Sequence, residues 1–376
     1  MNLDEILDVL KKYQRLDYDL ARSMPPAFYT SEEIFALEQE QLFRSQWICL
    51  GRVDQIPNPG DYFTTTLINE PLIVVRTNSN EINILSNVCR HRGSVIADDS
   101  GNCKVFVCPY HSWTYNLDGA LRHAPLVDKR SDFDPNHCQL PSFASEVWSG
   151  FIYVNLDGTS PSLVGQLGGL SKIIEHYHVD EMTEQHAEES IWDCNWKCLT
   201  ENFMEGYHLP IAHRSTVGQN FPVVETKFDT DGPSESFTYQ YFLKPNDMDF
   251  GVAHPMNKRL IDSMRQTSVM PTIFPSHMYV LAPDHLWYLS LQPNGTGKVR
   301  IRYGAALAPE VIKHANDKSA LVGKFRELLD KTQEEDRFLV ETIFQNIKGP
   351  MALAGPLSWL EREVHEFTQY LARKIA

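Results

Sequence analysis

Four residues at two short spacings carry the strongest chemical signal in this sequence. Cys89 and His91 stand two positions apart, Cys108 and His111 stand three apart, and sixteen residues separate the two pairs. Each pair offers one soft thiolate and one imidazole, which are ligands that iron and zinc accept. The pattern therefore predicts one metal centre with two sulfur and two nitrogen ligands.

This ligand set fits two kinds of metal centre. Two cysteines and two histidines hold a Rieske [2Fe–2S] cluster, in which imidazole ligation of one iron raises the reduction potential. The alternative is a structural zinc site, but zinc modules usually pair cysteine with cysteine and histidine with histidine. The order Cys-x-His followed by Cys-x₂-His favours the iron–sulfur cluster.

A second group of candidate ligands lies about a hundred residues downstream. Glu201, Glu205 and His208 are spaced by four and three residues, so they share one face of a continuous helix. Pro210 ends or bends that helix, which allows His213 to return to the same metal. Two imidazoles and one carboxylate form the facial triad of non-haem Fe(II) oxygenases, with positions left open for O₂ and substrate.

Because of these motifs, the sequence resembles the oxygenase (alpha) subunits of Rieske non-haem iron oxygenases. The resemblance covers nearly the whole chain. The pattern is closest to the carnitine and related quaternary-ammonium monooxygenases. The resemblance implies that Cys89, His91, Cys108 and His111 hold the [2Fe–2S] cluster. It also implies a mononuclear Fe(II) held by His208, His213 and Asp336. Glu334 and Glu335 are equally good chemical ligands and stay open as alternatives to Asp336.

Glu205 is the position where the chain departs from the commonest family pattern. The residue three before the first iron histidine is usually an aspartate that bridges the two metal sites between subunits, whereas here it is a glutamate. We expect Glu205 to link a cluster histidine to His208, and Asn202 to hydrogen-bond near the open coordination position. Because electrons cross between chains in this family, the resemblance also implies a homotrimer.

The strand and turn pattern predicts an α+β fold. Short β-branched and aromatic runs between residues 62 and 156 indicate an N-terminal all-β Rieske [2Fe–2S] domain. After a Gly- and Ser-rich join, the pattern indicates a catalytic domain of an antiparallel sheet plus helices. We expect N-terminal helices at 1–44 that pack on the catalytic domain, the Rieske domain at 45–157, and the mononuclear non-haem iron domain at 158–376.

Individual elements follow from hydrophobic periodicity. Helices are predicted at 2–22, 31–44, 194–208, 318–347 and 357–374. Strands are predicted at 63–68, 72–76, 82–87, 105–108, 113–117 and 151–155 in the first domain, and at 237–243, 278–282, 286–291 and 298–307 in the second. Both cluster arms fall on loops between strands, where a rigid scaffold usually presents ligands.

The net charge and the spacing of the cysteines limit the classes of function that fit this sequence. A net charge of −15 over 376 residues argues against nucleic-acid binding, which needs clustered Lys and Arg. Seven cysteines at irregular spacing do not form a disulfide framework, and cluster thiolates must stay reduced, which favours the cytoplasm. The acidic N-terminus lacks the basic region of a signal peptide, and no apolar run reaches transmembrane length, so we expect no membrane partner.

The expected function is that of a terminal oxygenase. A separate NAD(P)H-dependent flavin/iron–sulfur reductase would supply electrons, and O₂ would hydroxylate a C–H bond next to nitrogen in a quaternary or tertiary ammonium compound such as carnitine, betaine or choline. The alternative is a hydroxylase or dioxygenase of an aromatic or other carboxylated compound. A ferredoxin-like carrier or a zinc-stabilised binding module would leave the second ligand group unexplained.

Aromatic residues on predicted catalytic strands could surround a quaternary ammonium group. Their faces attract cations through the ring quadrupole. The candidates are Phe274, Tyr279, Trp287 and Tyr241. Ordinary packing in the core of the sheet explains each of them equally well.

Overall fold

The computed structural model of the protein describes residues 1–127, 129–228, 234–245 and 250–376. The chain forms two compact units. One is Phe43–Leu163, and the other combines Met1–Leu42 with Val164–Ala376. Within the described residues, none of the helices has both the length and the apolar run that crossing a membrane requires.

The described part of the unit Phe43–Leu163 is built from antiparallel strands. These are β1 (Ile48–Arg52), β2 (Asp61–Leu67), β3 (Glu70–Arg76), β4 (Ile82–Ser86), β5 (Ser100–Asn102), β6 (Phe106–Val107), β7 (Thr114–Tyr115), β8 (Leu121–His123), β9 (Ser142–Trp148) and β10 (Phe151–Asn155). A seven-stranded sheet has the order β1-β10-β9-β4-β3-β2-β5, and a three-stranded sheet has the order β6-β7-β8. All six strands predicted here are present.

Burial explains part of the agreement between predicted and observed strands, although the buried strand β1 and the strand β9 were not predicted. β3 and β10 have neighbours on both sides, and the buried stretches, 72–75 of β3 and 151–154 of β10, are continuous apolar runs. β5 and β8 are three-residue strands of polar, largely exposed residues, and neither was predicted. Pairing with a neighbouring strand, rather than local pattern, makes them strands.

The other unit combines a second antiparallel sheet with helices. Its strands are β11 (Thr183–Trp192), β12 (Thr226–Phe228), β13 (Phe237–Leu243), β14 (Thr267–Ile273), β15 (His277–Leu281), β16 (His285–Pro293) and β17 (Val299–Leu307), in the order β11-β17-β16-β15-β14-β13-β12. The helices of the chain are α1 (Leu3–Tyr13), α2 (Pro26–Thr30), α3 (Glu32–Glu38), α4 (Leu163–Gln166), α5 (Gly168–Ile174), α6 (Trp196–Met204), α7 (Leu209–Ala212), α8 (Pro309–His314), α9 (Lys318–Asn346) and α10 (Arg362–Ile375).

Two expectations for this unit need correction. The N-terminal helix ends at Tyr13 instead of near residue 22. β11 was not predicted, because this edge strand pairs only with β17 and is mostly polar and half-exposed, without a clear alternation. β12 and β14 were not predicted either, whereas β13, β15, β16, β17 and the long helix α9 lie close to their predicted positions.

The predicted continuous helix through His208 is also wrong. α6 ends at Met204, and Glu205 has an extended backbone with φ −116° and ψ 142°. Pro210 lies in the first turn of α7, where a missing N–H costs no intrahelical hydrogen bond. Proline therefore begins a new helix here, and Glu205 and His208 do not share a helix face with Glu201.

A buried polar cluster holds α6 against α3. Asn195 caps α6 by accepting the Lys197 backbone N–H at 3.0 Å. The Trp196 indole N–H donates to Glu38 at 2.8 Å, and the Lys197 ammonium forms a buried ion pair with the same carboxylate. Removing one partner would leave a buried charge uncompensated, so this cluster fixes the start of the helix that leads to the second ligand group.

Candidate metal centres and active site

The two cysteine–histidine arms adopt the same backbone turn. In the first arm the Cys89 N–H donates to Ser94 O at 2.9 Å, and the Gly93 N–H donates to Cys89 O at 3.0 Å. In the second arm the Cys108 N–H donates to the carbonyl five residues on at 2.8 Å, and the Ser112 N–H donates to Cys108 O at 3.0 Å. Gly93 and Ser112 both have positive φ, 76° and 58°. Each arm is thus closed by the same two backbone hydrogen bonds around its cysteine.

These loops bury the sulfurs and expose the imidazoles. Cys89 and Cys108 are 3% and 2% exposed, whereas His91 and His111 are both exposed. The imidazole rings meet at a centroid distance of 4.7 Å, and Trp113 stacks on His91 at 4.9 Å. This arrangement fits a cluster with a buried thiolate-bound iron and an imidazole-bound iron at the surface.

Hydrogen-bond donors surround the two sulfurs. Burial acts to raise the pKa of the Cys108 thiol, but the Tyr110 backbone N–H, with Cys89 and the His111 N–H, brings it below its ordinary value. The Tyr115 hydroxyl lies 3.3 Å from Cys89 Sγ and accepts the Arg90 backbone N–H at 3.1 Å. Its own proton is therefore available to the sulfur. Such donors stabilise thiolate, which is the form that binds iron.

His208, His213 and Asp336 bring three ligand atoms together. The short helix α7 has His208 as its N-cap and His213 as its C-cap, and α9 supplies Asp336. The two Nε2 atoms are 3.2 Å apart, and Asp336 Oδ1 lies 3.0 Å from His213 Nε2 and 3.5 Å from His208 Nε2. Ligands with bonds of about 2.1 Å on one face of an octahedral metal have this spacing.

The outer ring nitrogen, Nδ1, of each histidine in this group contacts a second carboxylate. Glu205 Oε1 lies 2.5 Å from His208 Nδ1, and Glu335 Oε2 lies 2.7 Å from His213 Nδ1. With the outer nitrogen protonated, Nε2 of each ring turns its lone pair to the centre of the group. Burial acts to lower the pKa of His208, but its contacts with Asp336 and Glu205 raise it to about 10. The site therefore stabilises positive charge, as a cation site must.

The three adjacent acidic residues of α9 have different surroundings in the structure. Asp336 Oδ1 faces the histidines, and its carboxyl is largely buried. Glu335 contacts the outer nitrogen of His213 and accepts hydrogen bonds from the Ser215 and Thr216 hydroxyls, while Glu334 is exposed. Only Asp336 of the three lies in the group that could hold a metal.

A cavity adjoins the three ligands. Asn202 on α6 lies in its wall, as do Met270, Val280, Trp287 and Leu289 from β14, β15 and β16. The lining is mostly apolar, and among the described residues that line it there is no lysine, arginine or glutamate. An apolar lining with a few polar groups is typical of a small-molecule site.

Of the four aromatic residues expected around a substrate, the structure brings only Trp287 to this cavity. Phe274 stacks on Tyr370 at 4.5 Å, and Tyr279 is fully buried in the sheet. The other aromatic lining residues are Phe203 and Phe221, which the sequence did not single out. Phe203 follows Asn202 on α6, and that proximity was the available signal.

A second cavity lies on the outer side of His208. Glu201, Glu205 and Glu361 are among its lining residues. Burial raises the pKa of Glu201 to about 7, and the Tyr29 hydroxyl donates to both of its carboxylate oxygens at 2.9 and 3.0 Å. Acidic groups therefore surround the histidine on the side away from the first cavity.

One further acid–histidine group lies elsewhere in this unit. His186 Nε2 is 3.6 Å from Glu188 Oε2 and 4.0 Å from Asp330 Oδ1. The Arg326 guanidinium lies 3.4 Å from Glu188 and 3.5 Å from Asp330. Both carboxylates already contact the Arg326 guanidinium, so we treat this group as structural.

Comparison with known proteins identifies two families along the chain. The Rieske [2Fe-2S] domain family matches residues 46–144. The ring hydroxylating alpha subunit (catalytic domain) family matches residues 175–376, which is more than half of the chain. The cluster arms fall in the first match, and the second ligand group falls in the second.

Two relatives and one solved structure illustrate the similarity. The carnitine monooxygenase oxygenase subunit of Acinetobacter baumannii is 32% identical over 198 residues, which are 52% of this chain and 53% of that protein. The chain thus spans about half the length of that relative. The chloroplastic choline monooxygenase of Beta vulgaris is 26% identical over 360 residues, covering 93% of this chain and 76% of that protein. A crystal structure of the quaternary ammonium Rieske monooxygenase CntA with an inhibitor has the same fold, with TM-score 0.84 at 22% identity over 97% of this chain and 98% of that one.

Proposed function

We infer the function from the family to which this chain belongs, the ring-hydroxylating oxygenase alpha subunits that join a Rieske [2Fe–2S] domain to a catalytic domain binding mononuclear iron. We propose that the chain is the terminal oxygenase component of a multicomponent system. With two electrons and two protons it inserts one atom of O₂ into a substrate C–H bond and releases the other as water. The convergence of His208, His213 and Asp336 beside an apolar cavity carries this proposal.

The two ligand groups are assigned to the two cofactors of the family. Cys89, His91, Cys108 and His111 are proposed to hold the [2Fe–2S] cluster. His208, His213 and Asp336 are proposed to hold Fe(II). When bound, the cluster supplies single electrons and the Fe(II) supplies O₂ activation.

The protein's own side chains set the protonation of the iron site. Glu205 and Glu335 keep a proton on the outer nitrogens of His208 and His213, which fixes their tautomers and ring orientations. We propose that Glu205 also carries the electronic path from a cluster histidine of another subunit. Asn202 lies in the cavity wall beside the ligands, and we propose that its amide orients a reactant near the open coordination position.

The proposed substrate is a quaternary or tertiary ammonium compound of the carnitine, betaine or choline kind, oxidised at a C–H bond next to nitrogen. Relatives named carnitine and choline monooxygenase support this class. Phe203, Phe221 and Trp287 offer aromatic faces to a cationic head group inside the cavity. Hydroxylation at such a carbon gives an unstable carbinolamine, whose C–N bond then breaks to release an aldehyde and an amine.

Assembly, partner and location complete the proposal. An NAD(P)H-dependent flavin/iron–sulfur reductase would deliver the electrons, and a homotrimer would bring the cluster of one chain to the iron of the next. The functional domains would follow the predicted bounds 1–44, 45–157 and 158–376. Cytoplasmic location is supported by the need for reduced thiolates at Cys89 and Cys108.

An oxygen-uptake screen tests this function. The purified protein, loaded with both metals and supplied with a promiscuous reductase and NADH, should consume O₂ when L-carnitine, glycine betaine or choline is added, and should release an aldehyde in step. Asp336→Ala is the matched control, because it removes one proposed ligand and leaves the cluster arms untouched. Turnover of aromatic acids with no response to any ammonium compound would refute the proposed substrate class.

A further inference from the structure

The break between α6 and α7 involves an exchange of hydrogen-bond partners. In a helix that continued past Met204, the His208 backbone N–H would donate to the Met204 carbonyl four residues back. In the structure it donates instead to Glu205 Oε2 at 3.0 Å. The Met204 carbonyl accepts from the side-chain amide of Gln240 at 2.5 Å. Gln240 therefore takes the place of the helical donor, and the His208 N–H is left for Glu205.

The Gln240 side chain is buried and its amide has one orientation. The residue lies on β13 and is 0% exposed. Its Nε2 donates to the Met204 carbonyl and also to Glu363 Oε2 on α10, at 3.0 Å. Both partners present oxygen, so the NH₂ group must be the end that faces them. Two acceptors from different helices thus fix this amide against the end of α6.

Glu363 is a suitable buried partner for a neutral amide. It is 1% exposed, and burial, with the nearby Glu366 carboxylate, raises the pKa of Glu363 well above its ordinary value. A protonated carboxyl still has a carbonyl oxygen that accepts the Gln240 N–H, and it buries no unpaired charge. The Thr238 hydroxyl, also on β13, donates to Glu366 Oε2 at 2.5 Å. The contact between β13 and α10 is therefore built from paired polar groups.

The same strand contacts the break at a second residue. Phe242 is two positions after Gln240, so both side chains lie on one face of β13. A Cβ placed on Gly206 would lie 3.7 Å from Phe242 Cζ, so the turn backbone packs directly on this strand. Gln240 is also paired in register with Met270, which lines the substrate cavity. The strand that anchors the break is thus next to a strand of the cavity wall.

We propose that Gln240 is a positioning residue for the iron site: its amide ends α6 at Met204, and this allows Glu205 to hold His208. The inference rests on the proposed function, because it assigns Gln240 a role at the proposed iron ligand. Met204 is 1% exposed, so without the amide its carbonyl would be a buried acceptor that lacks a donor. The His208 N–H is the backbone donor that a continued helix would supply, and donating there would remove one of the two Glu205 contacts.

A double-mutant cycle on Fe(II) affinity tests the inference. The cluster-loaded protein, with its mononuclear site emptied by a chelator, is titrated with Fe(II) without oxygen or substrate. Gln240→Met keeps the length of the side chain and removes the amide, so it should weaken Fe(II) binding about tenfold. If Gln240 acts through Glu205, the double variant with Glu205→Ala should bind Fe(II) as Glu205→Ala does. Effects of independent sites would multiply instead.

Thr238→Val is the matched control for Gln240→Met. It removes a polar group from the same buried contact of β13 with α10, but its printed contacts are with Glu363 and Glu366 and not with Met204. Both variants should lower the melting temperature, whereas only Gln240→Met should weaken Fe(II) binding. If Gln240→Met does not fold, Gln240→Asn replaces it, because the shorter side chain keeps an amide that cannot reach as far.

Three results would contradict the inference. They are wild-type Fe(II) affinity in the Gln240 variant, a loss in Thr238→Val equal to that in the Gln240 variant, and losses that multiply in the double variant. Each of them leaves the proposed function standing. Failure of the wild-type protein to bind Fe(II) would overturn the proposed function itself.

Discussion

The carboxylate of Glu205 contacts His208 at two points. Its Oε1 lies 2.5 Å from the imidazole Nδ1, and its Oε2 accepts the His208 backbone N–H at 3.0 Å. This is possible because α6 ends at Met204 and the chain turns before α7 begins. One side chain therefore fixes both the backbone and the ring of a proposed iron ligand.

Glu205→Ala should weaken Fe(II) binding about 10- to 100-fold, because the imidazole loses the partner that orients it. At saturating Fe(II) both metals should be retained, but oxidation of the reduced cluster by substrate and O₂ should be slower in a single-turnover stopped-flow measurement. Glu334→Ala, on the exposed side of α9, is the control and should behave as wild type. An unchanged rate in Glu205→Ala would show that electrons take another path.

Asp336→Ala should lose mononuclear iron while the visible absorption of the cluster is unchanged, since the two metals use ligands in different units of the chain. Glu335→Ala removes only the outer contact of His213, so it should bind iron more weakly without losing it at millimolar Fe(II). Iron content by elemental analysis separates the two variants. If Glu335→Ala loses the metal and Asp336→Ala keeps it, the assignment of the carboxylate ligand is wrong.

Tyr115→Phe should lower the reduction potential of the cluster by an amount on the order of tens of millivolts, because hydrogen bonds to cluster sulfurs raise the potential. Burial raises the pKa of Tyr115, so its hydroxyl stays protonated and can donate to Cys89 Sγ. Redox titration followed by electron paramagnetic resonance measures the shift. Tyr62→Phe, whose ring packs on Phe106 in the same unit, should leave the potential unchanged.

Glu201→Gln should make the protein's stability less dependent on pH. Burial raises the folded-state pKa of Glu201 from 4.5 to about 7, so its contribution is fully present below about pH 4.5 and is lost as pH rises through 7. Above pH 7 the wild-type protein should be less stable than Glu201→Gln by about 3 kcal/mol. The glutamine can still accept the Tyr29 hydroxyl. Parallel denaturation curves at pH 5 and pH 8 measure the difference, and an equal change in both proteins would contradict the assignment.

The two ligand motifs could be recognised from sequence because their chemistry is local. Cys89 and His91, like Cys108 and His111, lie on single turns, and residue type plus spacing defines such arms. Several buried strands, β10 among them, and the long helix α9 were also predictable, because neighbouring residues carry the apolar runs and the helical periodicity. The buried strands β1 and β14 were not predicted. The break after Met204 was not predicted, since Pro210 can either end a helix or begin one.

Only the tertiary structure decided which of several equivalent groups faces the metal or the substrate. Glu335 and Asp336 differ by one residue, and a step of about 100° around α9 sends one to the outer nitrogen of His213 and the other to its Nε2. Sequence cannot supply that rotation, because it depends on how the helix packs on elements distant in the chain. The same holds for Trp287 and Gln333, which meet at one cavity from a strand and a helix. The sequence by itself determined which ligand chemistry the chain offers, and packing between remote segments determined which side chains complete each site.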